Sequence, residues 1–341
     1  MGLASLDVCI RYGRPSVLDS LSDISTAMTP LTHSSAMPGA RRQAMLDDLG
    51  EGRLPPAFLY ESSAQSELWL AVHEACSPVH NEPDCSRIYD WIAEKSAEHI
   101  GVSEVSAVSL GCGGGQKDSA LLKRLNCSGY WPVDISESLT QEAVGICSAE
   151  ECHPVVIDLA RAHDIGQFIG NGLPDGMPRI FILFGILPNF DSELIRFQLS
   201  QLMKPSDWLV LSANLAPIGD YGEGVRGVMG QYDNEPTRAW LGGALSELGV
   251  PEKSGILYFS QEMIPSGLRR IVARWKFEVA HNIDCSGVGF LFNRGENLEV
   301  FHSVRHTIPI VLEWIQGNNC DCVEYRSSHS GEEAVFLCRV R

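Results

Sequence analysis

Between Val105 and Arg341, short apolar runs alternate with stretches whose apolar positions recur at helical spacing. Val105–Leu110, Tyr130–Ser136, Pro154–Leu159, Arg179–Gly185 and Asp207–Ala213 read as strands, the fourth wholly apolar in its interior and so predicted to be buried on both faces. Helical patterns follow them at Ala120–Leu125, Leu139–Cys147 and Ser192–Met203, and this strand–helix alternation predicts a parallel, right-handed α/β sheet. Upstream, Arg42–Leu49 is helical and is ended by Gly50 and Gly52; Leu54-Pro-Pro56 leads to Ala57–Tyr60, then Ser66–Val72 and Ser86–Ile100 form two amphipathic helices. Both are expected to cap the carboxyl end of the sheet. Downstream, Pro217 to about Glu252 is Gly-rich and then helical. Arg270–Val279, Gly287–Phe292, Leu298–Phe301 and Ala334–Val340 alternate as antiparallel strands do, with a helix from Thr307 to Gln316 between them. Residues 1 to about 38 lack periodicity apart from a short helical possibility around Val17 to Ile24. The predicted organisation is a flexible arm (1–40), a helical cap (41–103), an α/β core (104–215), a β-rich insertion (216–306) and a closing helix and strand (307–341).

The first core strand breaks into Gly111, Cys112, Gly113, Gly114 and Gly115 before its helix begins. Glycines let the main chain turn sharply and let a ligand approach it, while the helix start offers unpaired N–H groups. The spacing is neither the dinucleotide fingerprint nor a phosphate loop, since Lys117 follows too soon and is succeeded by Asp118. It is similar to the nucleoside-binding turn of class I methyltransferases, which receive S-adenosylmethionine. About 20 residues on, the second strand delivers Asp134, a carboxylate suited to both hydroxyls of a ribose, with Ser136 free to cap the next helix. Asp158 ends the third strand, set either to reach an adenine amine or to cap the helix after it.

Composition narrows the partners. The chain has 341 residues, 44% of them hydrophobic, enough for a full core in one large domain or one domain with an elaborated lid. A net charge of −17 and a pI near 5.0 speak against a nucleic-acid backbone as partner. No apolar run approaches a membrane span, and the first residues lack a secretion signal and the myristoylation pattern, so a cytoplasmic protein is expected. Eleven cysteines then read as free thiols, mostly buried, Cys112 being a small residue that fits its turn. Cys320-Asp-Cys322 has no partner pair at zinc spacing, and His302, His306 and His329 read as surface or helix-end residues, so no metal site is expected.

Taken together, several pieces from about Arg42 onward resemble the histidine Nα-methyltransferases of ergothioneine biosynthesis and their relatives. They are Leu54-Pro-Pro-Ala-Phe-Leu-Tyr-Glu61, Leu110-Gly-Cys-Gly-Gly-Gly-Gln-Lys117, Tyr130-Trp-Pro-Val-Asp-Ile-Ser136, Phe184-Gly-Ile-Leu-Pro-Asn189, Gln231-Tyr-Asp-Asn234 and Ser303-Val-Arg-His-Thr307. The resemblance implies an α/β fold with a class I, Rossmann-like S-adenosylmethionine-dependent methyltransferase sheet. It implies that Tyr60 holds the methionyl part of the cofactor, and that the glycine loop, Lys117, Asp134, Ser136, Asp158, Leu159 and Gly185 hold the remainder. Asn189 and Tyr232 fall where the family grips the amino and carboxylate groups of an amino acid, and Ser303 falls in the C-terminal substrate pocket. Residue by residue, Asn189 also reads as a turn former, Tyr232 as core, and Ser303 as a cap for the following helix.

Two departures matter. Phe301 stands where histidine-binding members carry a glutamate, and their tyrosine after the Trp69 helix is missing near Cys76 to His80. Free histidine is therefore a poor substrate, because its imidazole would be buried without partners. The expected activity is N-methylation of an amino acid or small amine less polar than histidine, with Asn189 and Tyr232 on the amine and Phe184 facing the sulfonium. The alternatives are cyclisation of S-adenosylmethionine to azetidine-2-carboxylate with loss of methylthioadenosine, as in methyltransferase-like cyclases that this chain also resembles, and a non-catalytic binding relic.

Overall fold

The computed structural model describes residues 29–341 except 78, 80–82, 102–103, 175 and 218; most of the expected arm, with its helix at Val17 to Ile24, lies outside the described residues. The chain opens with β1 (Leu31–Thr32), α1 (Pro38–Gly50), α2 (Ser63–Cys76) and α3 (Pro83–Ile100). Alternation follows: β2 (Val105–Leu110), α4 (Gln116–Arg124), β3 (Cys127–Asp134), α5 (Glu137–Ile146), β4 (Glu151–Cys152), β5 (Val155–Val156), α6 (Ile165–Gly170), β6 (Arg179–Leu183), α7 (Ser192–Leu202) and β7 (Trp208–Asn214). Then come α8 (Tyr221–Gly227), α9 (Glu235–Glu247), β8 (Gly255–Met263), β9 (Arg269–Phe277), β10 (His281–Cys285), β11 (Val288–Phe292) and β12 (Asn297–Arg305). The chain closes with α10 (Ile308–Gly317), β13 (Cys320–Ser327) and β14 (Glu333–Val340).

The main sheet has the order β1-β5-β3-β2-β6-β7-β14-β13, with β4 beside β3. Its neighbours run parallel except β14, which is antiparallel to both β7 and β13. This is a Rossmann-like, parallel-dominated sheet with one antiparallel strand set between β7 and β13. Every residue of β2 and β6 is buried because helices cover both faces, which is why these strands read as continuous apolar runs. Val108, Phe181, Leu211 and Phe336 pack toward α6, α7 and α10 on one face. Ala107, Ile182, Val210 and Leu337 pack toward α3 and α4 on the other. Strand order reverses between β2 and β6, so a crevice opens at their carboxyl ends.

The insertion builds a three-stranded antiparallel sheet, β12-β9-β8, and the hairpin β10-β11. Leu49, Leu59, Trp240, Trp275 and Leu298 form a third core joining this unit to α1, α2 and α9. No membrane-spanning helix occurs among the described residues.

Some expectations need correction. Only Val155–Val156 of the third apolar run pairs as a strand, because the segment after it turns at Asp158. Within the stretch read as an arm, Leu31–Thr32 pairs with Val155–Val156, a two-residue edge too short to show periodicity. The helix expected from Ser86 to Ile100, observed as α3, does not cap the crevice as a whole: it buries Cys85, Ile88, Tyr89, Ile92 and Ala93, a stripe that needs a sheet beneath it. Strands β4, β8, β10 and β13 are not among the expected strands; β4 has only two residues, and β8 carries mixed exposure and no clean alternation.

Candidate functional site

Register brings the glycine turn and Asp134 together. Leu110 of β2 pairs with Val133 of β3, so the chain leaves both strands at the same level. Gly111 and Cys112 donate their N–H groups to the Val133 carbonyl at 2.7 and 3.1 Å. Gly113 N–H donates to Asp134 Oδ2 at 3.1 Å, and Ser136 N–H to Oδ1 at 3.0 Å, which fixes the carboxylate. Burial pushes the Asp134 carboxyl above its usual range, against the bonds from Ser136, Gly113 and Ile135. Gly113 has φ 53° and Gly115 φ 77°, and a Cβ on Gly113 would lie 2.8 Å from the Trp69 indole. A side chain at either position is therefore strained, and at Gly113 it also strikes the cap. The Cys112 thiol is pushed well up by burial and then by Asp134 and Asp118, which makes it inert as a nucleophile.

A cavity of about 340 Å³ opens over this turn. Tyr60, Trp69, Val72 and His73 of the cap close one side, with Trp69 stacked on His73 at 5.3 Å. Tyr60 touches Trp69 edge-on at 5.9 Å and Trp240 at 5.5 Å; its phenol is pushed up by burial and then by Asp134. Trp240 meets Phe301 edge-on at 5.6 Å, and Phe301 lies 6.2 Å from Tyr232. The result is a continuous aromatic wall from Trp69 to Tyr232.

The loop after β6 forms the opposite side. Gly185 N–H donates to Ser212 Oγ at 3.0 Å, and Asn189 N–H closes a turn onto the Ile186 carbonyl at 3.1 Å. Phe184, Gly185 and Asn189 all line the cavity. Asn189 thus forms a turn through its backbone, yet its side-chain Oδ1 is buried with no hydrogen-bond partner. An acceptor left in that state is costly, and this one belongs to a residue of the cavity wall.

The remaining expected residues divide. Lys117 and Leu159 line the cavity, and so does Asp158, whose Oδ1 accepts from Ala160 N–H at 2.9 Å. That bond closes a local turn; the position capping α6 belongs to Asp164. Burial also pushes the Asp158 carboxyl up. Ser303 does not cap α10, whose capping position is Thr307; it is buried and meets the Tyr232 hydroxyl at 2.9 Å, reaching the cavity only through that residue. Ser136, Gly114 and Gly115 are off the wall. Ser136 caps α5 and its Oγ meets Ser66 Oγ at 2.8 Å, tying the cap to the core beside Asp134.

Several wall residues carried no signal that would have singled them out. Trp69 and Trp240 read as core at helical spacing. Arg305, only 2% exposed, lies with its guanidinium 5.2 Å over the Tyr232 ring and donates to the Leu215 carbonyl at 3.0 Å and to Gln231 Oε1 at 2.9 Å. His302 is half-buried in the wall with Nδ1 3.3 Å from Glu299, whereas His306 is buried immediately before the Thr307 cap of α10, the helix-end alternative and not the surface one. Lys117 meets Glu333 at the far end of the wall, a residue that reads only as a strand start.

No family model matches the chain, and no curated protein sequence does. Solved structures resemble it at low identity. An S-adenosylmethionine-dependent methyltransferase from Clostridium acetobutylicum is 11% identical, covering 82% of this chain and 99% of its own, with a TM-score of 0.45. Magnesium protoporphyrin IX methyltransferase from Synechocystis, with bound S-adenosylhomocysteine, is 13% identical over 82% of this chain and 95% of its own, with a TM-score of 0.43. The N-methyltransferase NodS from Bradyrhizobium japonicum, also with S-adenosylhomocysteine, is 9% identical over 80% and 96%, with a TM-score of 0.40.

Proposed function

We propose that this chain binds S-adenosylmethionine and transfers its methyl group to the nitrogen of an amino acid or small amine less polar than histidine. The observation that carries the reading is one cavity holding a bare glycine main chain beside Asp134 and, across from them, the unpartnered Oδ1 of Asn189. Asp134 is the acceptor for ribose hydroxyls, the glycine turn lets the nucleoside approach, and Tyr60 lies over the methionyl end. When bound, the cofactor supplies a methyl group already made electrophilic by its sulfonium. The protein's own task is to hold a neutral amine in line: Asn189 Oδ1 accepts one N–H, Tyr232 with Ser303 fixes the far side, and Phe184 offers a ring face to positive charge. The proton released on transfer needs no dedicated base.

The make-up of the wall supports the exclusion of histidine from this reading. Phe301 packs on Trp240, and the nearest carboxylate on β12, Glu299, is engaged by Arg270 at 2.8 Å and Arg274 at 3.1 Å. His302 also lies 3.3 Å from Glu299, so a substrate imidazole would have to compete with three resident groups for that carboxylate. The same closure by Phe301 favours one second reading, in which S-adenosylmethionine is the sole substrate and its own amine displaces methylthioadenosine to give azetidine-2-carboxylate. Mass analysis of products, first with cofactor alone and then with a panel of amino acids and amines, separates the two. A methylated amine with S-adenosylhomocysteine supports the first; methylthioadenosine without added amine supports the second; neither product, with no binding heat, overturns both.

A further inference from the structure

We propose that Glu333 is a positioning residue that aims Lys117 at the carboxylate of an amino-acid tail, so that this end of the cavity selects nucleoside ligands that carry one. The inference rests on the cofactor reading above and assigns Glu333, Tyr89 and Cys85 a role in it.

Four elements converge here: Lys117 comes from the first turn of α4, Glu333 from the start of β14, Tyr89 and Cys85 from α3, and Ser212 from β7. Lys117 Nζ lies 3.2 Å from Glu333 Oε1, and Cys85 Sγ donates to Oε2 at 3.0 Å. The Tyr89 hydroxyl donates to Oε1. Glu333 is only 2% exposed, yet both it and Lys117 reach the cavity wall. Burial would push the Glu333 carboxyl up, but Lys117, Cys85 and Tyr89 outweigh it and hold the group below its usual value. The carboxylate is therefore a fixed anion, held by three donors.

An ammonium has three donors on a flexible stem. Glu333 takes one, and the Tyr89 ring, 5.1 Å from Nζ, covers another side. Held on these two sides, Lys117 lines the cavity. Tyr89 extends the arrangement: it meets Phe184 edge-on at 5.0 Å and accepts from Ser212, whose Oγ takes the Gly185 N–H. The loop on the sulfonium side and the lysine on the carboxylate side thus share one buried support.

Calorimetry on the full chain with S-adenosylhomocysteine and with 5′-methylthioadenosine, which has the nucleoside but no amino-acid tail, tests this. The unaltered protein is expected to favour the tailed ligand by about tenfold or more, the scale of a charge-assisted hydrogen bond. E333Q and K117M are expected to bring the two affinities within about threefold by weakening only the tailed ligand, and Y89F to shift the ratio in the same direction by less. If E333Q does not fold, as judged by its melting curve, K117M and Y89F decide. A ratio unchanged in the folded variants, or equal losses for both ligands, overturns the proposal. If the unaltered protein binds both equally, the tail site fails while the nucleoside site stands; if it binds neither, the cofactor reading itself fails.

Discussion

Asn189 and Asp134 separate the two halves of the proposed reaction at the level of single side chains. The Asn189 Oδ1 has no hydrogen-bond partner within the protein, so N189A is expected to lower methyl transfer by about 10- to 100-fold while leaving nucleoside binding unchanged; initial rates and calorimetry on one preparation check this. Asp134 behaves oppositely. Its carboxyl is raised by burial, and a ribose needs the ionised form as acceptor. Affinity for adenosine-bearing ligands is therefore expected to be full well above that raised value and to fall as pH falls through it. D134N, which cannot titrate, is expected to bind weakly at every pH with a flat profile. Titrations at a series of pH values detect the difference.

Helices act on the site indirectly. Ser136 accepts Leu139 N–H at the start of α5, donates its own N–H to Asp134, and meets Ser66 Oγ of α2. One residue thus couples the helix start, the ribose acceptor and the cap. S136A is expected to cost about 1 kcal/mol of stability for the lost cap and to weaken cofactor binding several-fold, although no Ser136 atom lines the cavity. Chemical denaturation and calorimetry measure the two effects. S66A leaves the α5 cap intact and is expected to weaken binding with a smaller stability change.

For the molecule as a whole, two buried groups give stability opposing slopes with pH. Burial pushes the Asp118 carboxyl up to about 6, although Ser109 and the Tyr130 hydroxyl, 2.6 Å away, donate to it. A raised carboxyl contributes stability that is full below its ordinary value and is lost as pH rises toward about 6. Burial, then the charge of Arg305, lowers the His306 imidazole to about 4. That contribution is full above the ordinary histidine value and is lost as pH falls toward about 4. Between these limits the two slopes partly cancel. D118N removes the first, so its melting temperature is expected to fall more steeply on acidification than that of the unaltered protein, with a larger advantage near neutral pH. Scanning calorimetry at several pH values tests the sign.

Periodicity along the chain was sufficient for the alternating core, because strands buried on both faces must be continuously apolar and their covering helices must be amphipathic. It was equally sufficient for the glycine turn and Asp134, which lie at strand ends and follow from the spacing of one βαβ unit. Short or irregular edges were not legible: β1 has two residues, and β8 packs one mixed face. Assembly of the wall was beyond the sequence as well. Trp69, Trp240 and Phe301 come from α2, α9 and β12, and only folding joins their rings, Trp69 to Trp240 through Tyr60 and Trp240 edge-on to Phe301. Glu333 lies 216 positions from Lys117, and nothing local distinguishes it from any strand-start acid. Local pattern determined which segments are strand, turn and helix, since that depends on neighbours a few residues away; tertiary packing decided which distant side chains share a desolvated cavity, since burial and electrostatic pairing depend on the whole fold.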